Sequence, residues 1–377
     1  MAGVSAHEQK VVVAMSGGVD SSVAAAILVE EGYNVIGVTM QIWPAVEAAE
    51  QAFSRTCCSL SAVEDARRVS ARLGIPHYVL NFKDIFEQTV IDNFIEEYRR
   101  GRTPNPCIRC NRFVKFDALL AKARGLGAEY VATGHYSRIV YDEVGQRRLL
   151  KRGVDGSKDQ SYALYGMTQD QLAHTLMPLG NLVKDETRRL AAKLGLAVAS
   201  KPESQEICFV ENRNYPGFLK QHAPEAIVPG PILDTEGREI GRHEGIAFYT
   251  IGQRKRIGIA AKEPLYVVAI EPVRNAIVVG RDENLFASEL DAEEMNYISI
   301  EIPGEPIAVT AKVRYNMKDA RALLTPLASG QAHVKFDTPQ RAITPGQAVV
   351  CYQGEDVVGG GTIRMADGQG YMSGWRA

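Results

Sequence analysis

Two groups of residues in this sequence of 377 have the types and spacing for chemistry. The first is the run Ser16, Gly17, Gly18, Val19, Asp20, Ser21, Ser22. Its paired glycines permit torsions and close approaches that a Cβ forbids, and its acid and hydroxyls stand where a helix running to about Glu31 should begin. Unpaired amides and the dipole at such a helix start favour a bound phosphate, to which the hydroxyls of Ser16, Ser21 and Ser22 add donors. Asp20 would be out of place beside bare phosphate unless a divalent ion lay between them, so it reads as a ligand of Mg2+ or of its water. Neither GxxxxGK[ST] nor GxGxxG occurs, which excludes the P-loop kinase and dinucleotide readings. The bland alternative is a Ser/Gly strand-to-helix turn with a capping aspartate.

The second group consists of cysteines. Cys107 and Cys110 lie within RTPNPCIRCNRFVKF (102 to 116), and Cys208 lies far downstream between Ile207 and Phe209. Pro104 and Pro106 are expected to forbid helix and to hold Asn105 and Cys107 in an extended, exposed loop. From Arg99 to Lys115 the chain carries Arg99, Arg100, Arg102, Arg109, Arg112 and Lys115 and no acid. That cluster reads as a phosphate-backbone contact, its competitor being a solvated basic loop. The apolar neighbours of Cys208 are those more often met around a core cysteine than around a catalytic one.

These groups must be positioned by an alternation of strands and helices. The apolar residues Val11 to Met15 predict a strand buried on both faces, and Val35 to Met40 a second. If the two are parallel neighbours, Met40 falls beside the first loop and near an adenine; taken alone, Met40 is core. Cys57 and Cys58 read as small buried residues or a helix start ahead of a helix over 63–73. Ile85, Phe86, Val90, Ile91, Phe94, Ile95 and Tyr98 make one helical face over 84–100. A helix over 115–125 and a strand over 130–133 follow, delivering Gly134 where backbone could approach a nucleotide. A hairpin over 137–151 turns about Val144, Gly145 and Gln146. Lys158, Asp159 and Gln160 fall on a loop or first helical turn, where such a triplet is commonly a cap. A helix over 185–194 leads toward Cys208. Beyond Asn214 short strands punctuated by glycine predict a small β-rich domain to about 282, with a basic patch at Arg254, Lys255 and Arg256. Alternating residues after that predict a small β-barrel.

The length asks for two or three domains, and the apolar and charged fractions are ordinary. A formal charge of -2 excludes a globally basic nucleic-acid binder, so a polyanionic partner must be held by local patches. No apolar run reaches the length of a membrane span, and MAGVSAHEQK lacks a signal peptide's apolar core, so a cytoplasmic location without membrane association is expected. Six scattered cysteines do not form a secreted disulfide framework.

SGGVDS (16 to 21) resembles the pyrophosphate loop, or PP-loop, of the ATP pyrophosphatase superfamily, whose members split ATP between the α and β phosphates and adenylate a substrate. Taken with TPNPCIRCN (103 to 111), ATGHYSR (132 to 138), KDQSY (158 to 162), SQEICFV (204 to 210), YTIGQRKRIGI (249 to 259) and PGQAVVCY (345 to 352), nearly the whole chain resembles the bacterial tRNA 2-thiouridylases. That family replaces O2 of the wobble uridine, position 34, by sulfur. The resemblance implies an α/β fold: a parallel-sheet, adenine-nucleotide α-hydrolase-like PP-loop domain (1–214), a small β-rich domain (215–282) and a C-terminal β-barrel (283–377), the last two contacting tRNA. It implies that Ala14, Met15, Ser16, Gly17, Gly18, Val19, Asp20, Ser21, Met40 and Gly134 bind ATP with Mg2+. Asn105, Pro106 and Cys107 would meet the target base, and Lys158, Asp159, Gln160, Arg314 and Tyr315 would touch tRNA. Cys110 matches the family's nucleophile and Cys208 its persulfide carrier, fed by a sulfur-donor protein or a sulfide source; no DNA partner is implied.

One position departs from the pattern. Many members have aspartate where this chain has Cys107, so Cys107, Cys110 and Cys208 could hold three irons of a [4Fe-4S] cluster and leave the fourth iron open to hydrosulfide. Zinc is the rival metal. Two mechanisms therefore stand, a persulfide relay and a cluster-bound sulfide, with a slight preference for the cluster. The competing functions are another adenylating PP-loop synthetase or amidotransferase, for which no glutaminase-like segment is visible, and a non-catalytic RNA-binding iron-sulfur protein.

Overall fold

A computed structural model describes residues 9–42, 60–202, 207–210 and 214–366. Cys57 and Cys58 lie outside the described residues. The chain divides into two compact units, one of residues 1–90, 107–211 and 355–357, the other of 91–106, 212–354 and 358–377.

The first unit is built on strands β1 (Lys10–Ala14), β2 (Asn34–Gln41), β3 (His77–Asn81), β4 (Tyr130–Ala132), β5 (Ser137–Asp142), β6 (Arg147–Arg152) and β7 (Thr175–Leu176). Five of them form a parallel sheet in the order β3-β2-β1-β4-β7. Val11, Val12 and Val13 are fully buried, as a central strand covered on both faces requires. From β1 the chain runs to β2 and β3 on one side and then returns to β4 on the other. This is the topological switch point at which ligands of open α/β sheets lie, outside the carboxyl ends of the strands. The helix Val19–Glu30 is buried nearly all round, its Ala24 and Ala25 permitting close packing in one core with Val11, Val13, Leu196 and Val198. The hairpin β5–β6 turns where expected, Asp142 accepting from the amides of Val144 and Gly145.

The region of Cys107 differs from expectation. A helix begins at Pro106, runs as Pro106–Arg109, continues through the π-helical stretch Cys110–Ala118 and ends with Leu119–Gly125. Proline is well suited to a first helical position, since its missing N–H would be unbonded there in any case, and only the residue before it is driven extended. Cys107 is exposed, as expected, but helical. The helix over 83–99 also contains a π-helical turn, Glu87–Ile91.

In the second unit β8 (Gly230–Leu233), β9 (Glu239–His243), β10 (Tyr266–Glu271) and β11 (Ala276–Gly280) form a sheet in the order β10-β11-β8-β9. Strands β12 (Phe286–Tyr297), β13 (Ile307–Lys312), β14 (Ala320–Leu327), β15 (Gln331–Arg341), β16 (Ala348–Gln353) and β17 (Asp356–Ala366) run in the order β12-β15-β14-β13-β16-β17. Pairing of β12 with β17 closes them into a barrel, leaving no open edge there. Residues 91–106 belong to this unit. Tyr98 stacks on Tyr215 at 5.0 Å, Phe94 meets Phe218 edge-on at 5.9 Å, and the Thr103 amide donates to Pro345 O at 2.8 Å. No helix among the described residues is long and apolar enough to cross a membrane.

Cys351, on β16, is fully buried in the barrel, and burial pushes its thiol up to about 12. In the folded protein at pH 8.5 Cys351 should stay unmodified by iodoacetamide and react at a normal thiol rate once urea unfolds the barrel, as read by peptide mass spectrometry.

Candidate nucleotide and cysteine site

The loop after β1 is shaped by two glycines with different tasks. Gly17 has φ +67, and a Cβ there would lie 2.2 Å from the Ala62 carbonyl oxygen. Gly18 is extended and precedes the helix Val19–Glu30; its carbonyl accepts from Ser22 Oγ at 2.8 Å and Ser21 Oγ at 3.3 Å. Ser21 Oγ also accepts from the Ser16 amide at 3.2 Å, folding the loop on itself and leaving the Ser16 side chain exposed. The fully buried Met15 turns its sulfur into the core, 3.3 Å from Ser70 Oγ, while Met40 is half-buried near the end of β2. Gly134 follows β4, and a Cβ on it would come within 2.7 Å of the Asp20 carbonyl carbon and the Ser21 amide nitrogen. Its lack of a side chain thus lets the β4 turn press against the start of the helix.

Asp20 is the centre of the polar contacts. Lys184 Nζ reaches both its oxygens, at 2.7 and 2.8 Å, and Tyr136 OH donates to Oδ1 at 2.8 Å. Lys184 is nearly buried, with its ammonium 5.5 Å from the Tyr136 ring centre. Its backbone amide donates to Asp155 Oδ2, fixing the first turn of the helix Lys184–Lys193. On the other side of the loop Lys201 Nζ donates to Gly17 O at 3.0 Å and Asp65 Oδ2 at 2.7 Å. Sequence reasoning missed Lys184, Lys201 and Asp65, since a lysine at a helix start or in a loop carries no motif. Tyr136 lay inside ATGHYSR without a role. One carboxylate, hydroxyls and loop amides fit Mg2+ held largely by nucleotide phosphates, because that ion keeps few protein ligands. Asp20 would be the protein's ligand, and the ion would supply charge neutralisation of the phosphates.

The cysteines lie in the same unit. Cys110 is half-buried at the start of the π-helical stretch, which is anchored where buried Asn111 donates to Ala163 O at 2.9 Å. Cys208 is half-buried in a turn whose next residues, Phe209 and Val210, are buried, and Phe209 packs edge-on to Phe86 at 5.8 Å. Among the described residues no three His, Cys, Asp or Glu side chains gather as a metal-binding group. Cys107, Cys110 and Cys208 form no such group among the described residues, and the [4Fe-4S] reading gains no support from them.

Other expected contacts are redistributed. Asp159 is buried and accepts from the Gly153 and Ser161 amides and Ser161 Oγ, so it organises its own turn rather than reaching outward. Gln160 exchanges hydrogen bonds with the Tyr136 backbone, leaving half-buried Lys158 as the triplet's outward candidate. The acid-free window of arginines is also partly neutralised, by acids at its edge and from afar. Arg99 and Arg100 pair with Glu96, and Arg102 lies 2.8 Å from both Glu97 and Glu293. Within the second unit Arg314 Nη2 is tied to Ile251 O and Thr344 Oγ1, and Tyr315 is 40 % exposed beside it. The two line a cavity of about 510 Å³ with Arg341 and Gln347. Arg254, Lys255 and Arg256 are exposed.

The parallel sheet with its glycine loop at the switch point defines a HUP-type nucleotide-binding protein. A family model described as tRNA methyl transferase HUP domain matches residues 9–212, one described as tRNA methyl transferase PRC-barrel domain matches 216–281, and one described as Aminomethyltransferase beta-barrel domain matches 287–363. A curated relative from Acetivibrio thermocellus, the tRNA-specific 2-thiouridylase MnmA, is 56% identical over 95% of this chain and 99% of its own length. Its namesake from Moorella thermoacetica is 59% identical over 93% of this chain and 98% of its own. The chain belongs to the tRNA-specific 2-thiouridylase family. A solved 4-thiouridine synthetase–RNA complex with bound ATP overlaps 58% of this chain and 51% of its own at 20% identity and TM-score 0.31, too loose a match to carry weight.

Two outcomes follow from this geometry. Gly134→Ala should displace the helix start and weaken ATP binding by about tenfold or more in calorimetry, because neither neighbour is a side chain that can swing aside. His135 is buried, and burial, aided by the charge of Lys115, holds it well below the ordinary imidazole value of 6.5. The unfolded chain takes up a proton that the native state refuses, so stability is complete above that pH and declines below it, by at most about 1.4 kcal/mol per pH unit for this group. Urea midpoints between pH 7.5 and 5 should fall, and less steeply for His135→Asn.

Proposed function

We propose that the chain catalyses ATP-dependent 2-thiolation of the wobble uridine, position 34, of tRNA. The observation that carries this reading is that one compact unit holds both the anion loop with Asp20 and the cysteines Cys110 and Cys208, in a chain of this family. The loop amides and hydroxyls bind the phosphates of ATP as substrate, and Asp20 orients Mg2+ on them. A uracil carbonyl oxygen is a poor leaving group. Its attack on the α phosphate expels pyrophosphate and converts O2 into the oxygen of a departing AMP.

Sulfur reaches Cys208 as a persulfide in a balanced exchange: the Cys208 thiolate takes the outer sulfur of a donor protein's persulfide, which leaves as a thiol, or sulfide attacks Cys208 Sγ in a Cys110–Cys208 disulfide and Cys110 leaves as a thiolate. The terminal sulfur of the Cys208 persulfide attacks C2, the C2–O bond breaks and AMP leaves. The Cys110 thiolate then attacks the Cys208 Sγ, breaking the bond to the transferred sulfur, which remains on C2 as the thiocarbonyl. The resulting Cys110–Cys208 disulfide returns to two thiols by taking two electrons from an external thiol reductant. Asn105, Pro106 and Cys107 at the helix start receive the flipped base; Lys158, Arg314 and Tyr315 hold the tRNA. The relay needs only Cys110 and Cys208, and no step passes through iron.

The test is mass spectrometry of nucleosides from tRNA incubated with the protein, ATP, Mg2+, a persulfide donor and a thiol reductant. 2-Thiouridine should appear and should be lost with Asp20→Ala. Cys110→Ser and Cys208→Ser should abolish thiolation while tRNA-dependent pyrophosphate release persists; a merely structural cysteine would lower the melting temperature instead. Protein purified anaerobically should be colourless, free of iron and fully active.

A further inference from the structure

A run of hydrogen bonds joins the acid of the nucleotide loop to the helix that bears Cys110, all of it inside the first unit. Tyr136, whose hydroxyl donates to Asp20, is buried in one core with Val11, Val19 and Val23, which fixes its place. Gln160 clasps its backbone twice: the Tyr136 amide donates to Gln160 Oε1 at 2.9 Å, and the Gln160 amide donates to Tyr136 O at 3.0 Å. Gln160 also opens the 3-10 turn Ser161–Leu164, in which Ser161, Tyr162 and Leu164 are buried and the Ala163 amide donates back to Gln160 O. The same turn holds the cysteine helix. Ala163 O accepts from Asn111 Nδ2 at 2.9 Å, and Arg112 lies against Gly166, where a Cβ would come within 3.3 Å of the Arg112 Cδ. Asn111 directly follows Cys110 and is only 4% exposed, and its Oδ1 accepts from Lys115 Nζ at 3.0 Å.

These bonds leave little freedom of orientation. A carbonyl only accepts and an ammonium only donates, so the Asn111 amide can be seated one way round, Nδ2 to Ala163 and Oδ1 to Lys115. Its anchorage sets the rotation of the helix about its own axis, and the direction of the adjoining Cys110 side chain follows from that rotation. The stretch needs such an anchor, because π-helical bonding over Cys110–Ala118 is a rare geometry that its surroundings must impose. Gln160 is equally committed, since its side-chain oxygen is turned to the Tyr136 amide. The proposed chemistry demands a fixed spacing. Adenylation takes place at the loop and the final attack by Cys110 falls on sulfur joined to the same base, so thiol and loop must keep one distance through both steps. We infer that Gln160 and Asn111 are positioning residues, the two clasps by which the 160–164 turn sets the Cys110 thiol at its distance from the nucleotide loop, and that Gln160 is not a tRNA contact. This rests on the proposed function, because it presumes that ATP occupies the loop and that Cys110 completes the transfer.

The experiment uses the full chain freshly loaded with a persulfide on Cys208, with tRNA, ATP and Mg2+ and no thiol reductant, so that each molecule turns over once. In the wild type the tRNA is first joined to Cys208 through a C2–S–S linkage, which Cys110 then cleaves to give 2-thiouridine and the Cys110–Cys208 disulfide. Gln160→Leu and Asn111→Leu should release pyrophosphate at a rate near that of the wild type but form 2-thiouridine about tenfold more slowly or worse, because a misplaced Cys110 acts on the last step alone. The tRNA–Cys208 adduct should therefore accumulate as a slow-migrating gel band, and an added thiol, attacking Cys208 Sγ in place of Cys110, should resolve it to 2-thiouridine. A loss of packing alone, read as a lower melting temperature, gives no such adduct. Gln160→Glu, which keeps an oxygen for the Tyr136 amide, should match the wild type both in forming 2-thiouridine and in filter-binding affinity for tRNA. The double variant Gln160→Leu with Asn111→Leu should be no slower than the slower single variant, since both cut one link. Wild-type formation of 2-thiouridine by Gln160→Leu, an equal fall of pyrophosphate release and thiolation in it, losses that multiply in the double variant, or weakened tRNA binding by Gln160→Glu overturns the inference. The Gln160 variants decide the matter should Asn111→Leu fail to fold. A wild type that forms no 2-thiouridine overturns the functional reading itself.

Discussion

A carboxylate set among amides that await an anion is an unfavourable arrangement unless something holds its charge. Here the ammonium of Lys184 and the hydroxyl of Tyr136 do so, meeting Asp20 from two directions. Each partner is fixed by its own surroundings. Lys184 stands on a helix whose first amide is tied to Asp155, and Tyr136 stands on the turn after β4, which approaches closely because Gly134 has no side chain. The loop, the switch point of the sheet and the helix Lys184–Lys193 thus constrain one another through a single acidic side chain. With the Lys184 side chain only 9% exposed, its ammonium would be costly to bury if it lacked the Asp20 carboxylate.

Much of this architecture is legible in the residues. The buried run Val11 to Val13, the glycine pair and the hydroxyls specify strand, loop and helix in that order, and local chemistry alone decides them. The β5–β6 hairpin and the short strands after residue 214 are similarly encoded, by turn residues and by alternation. What escaped detection is what depends on partners distant in the chain. Lys184 and Lys201 acquire meaning only when folding brings Asp20, Gly17 and Asp65 to them. Asp159 and Gln160 look like surface polar residues, yet Asp159 accepts from amides of its own turn and Gln160 is bonded to the distant Tyr136 backbone.

The misread proline segment has a different origin. Two prolines close together suggest an extended chain, and no helix or strand is formed from Arg102 to Asn105, but Pro106 itself opens a helix. The rule against proline in helices concerns interiors, where an N–H is missed and the ring collides with the preceding turn; neither objection applies at the first position. The arginine-rich window misleads for a related reason. Glu96 and Glu97 lie just outside its boundary and Glu293 lies far along the chain, so a count confined to the window cannot see the acids that pair with it.

Residues 91–106 carry a further consequence, for the order in which the chain can be completed on the ribosome. Phe94 and Tyr98 find their aromatic partners in Phe218 and Tyr215, and Thr103 bonds to Pro345. During translation at roughly 5–20 residues per second, that early stretch waits on the order of tens of seconds for its last partner to emerge. Until Tyr215 and Phe218 emerge, its aromatic face lacks the partners that cover it in the folded unit, which makes this helix the place where a holding chaperone would find purchase on the nascent polypeptide.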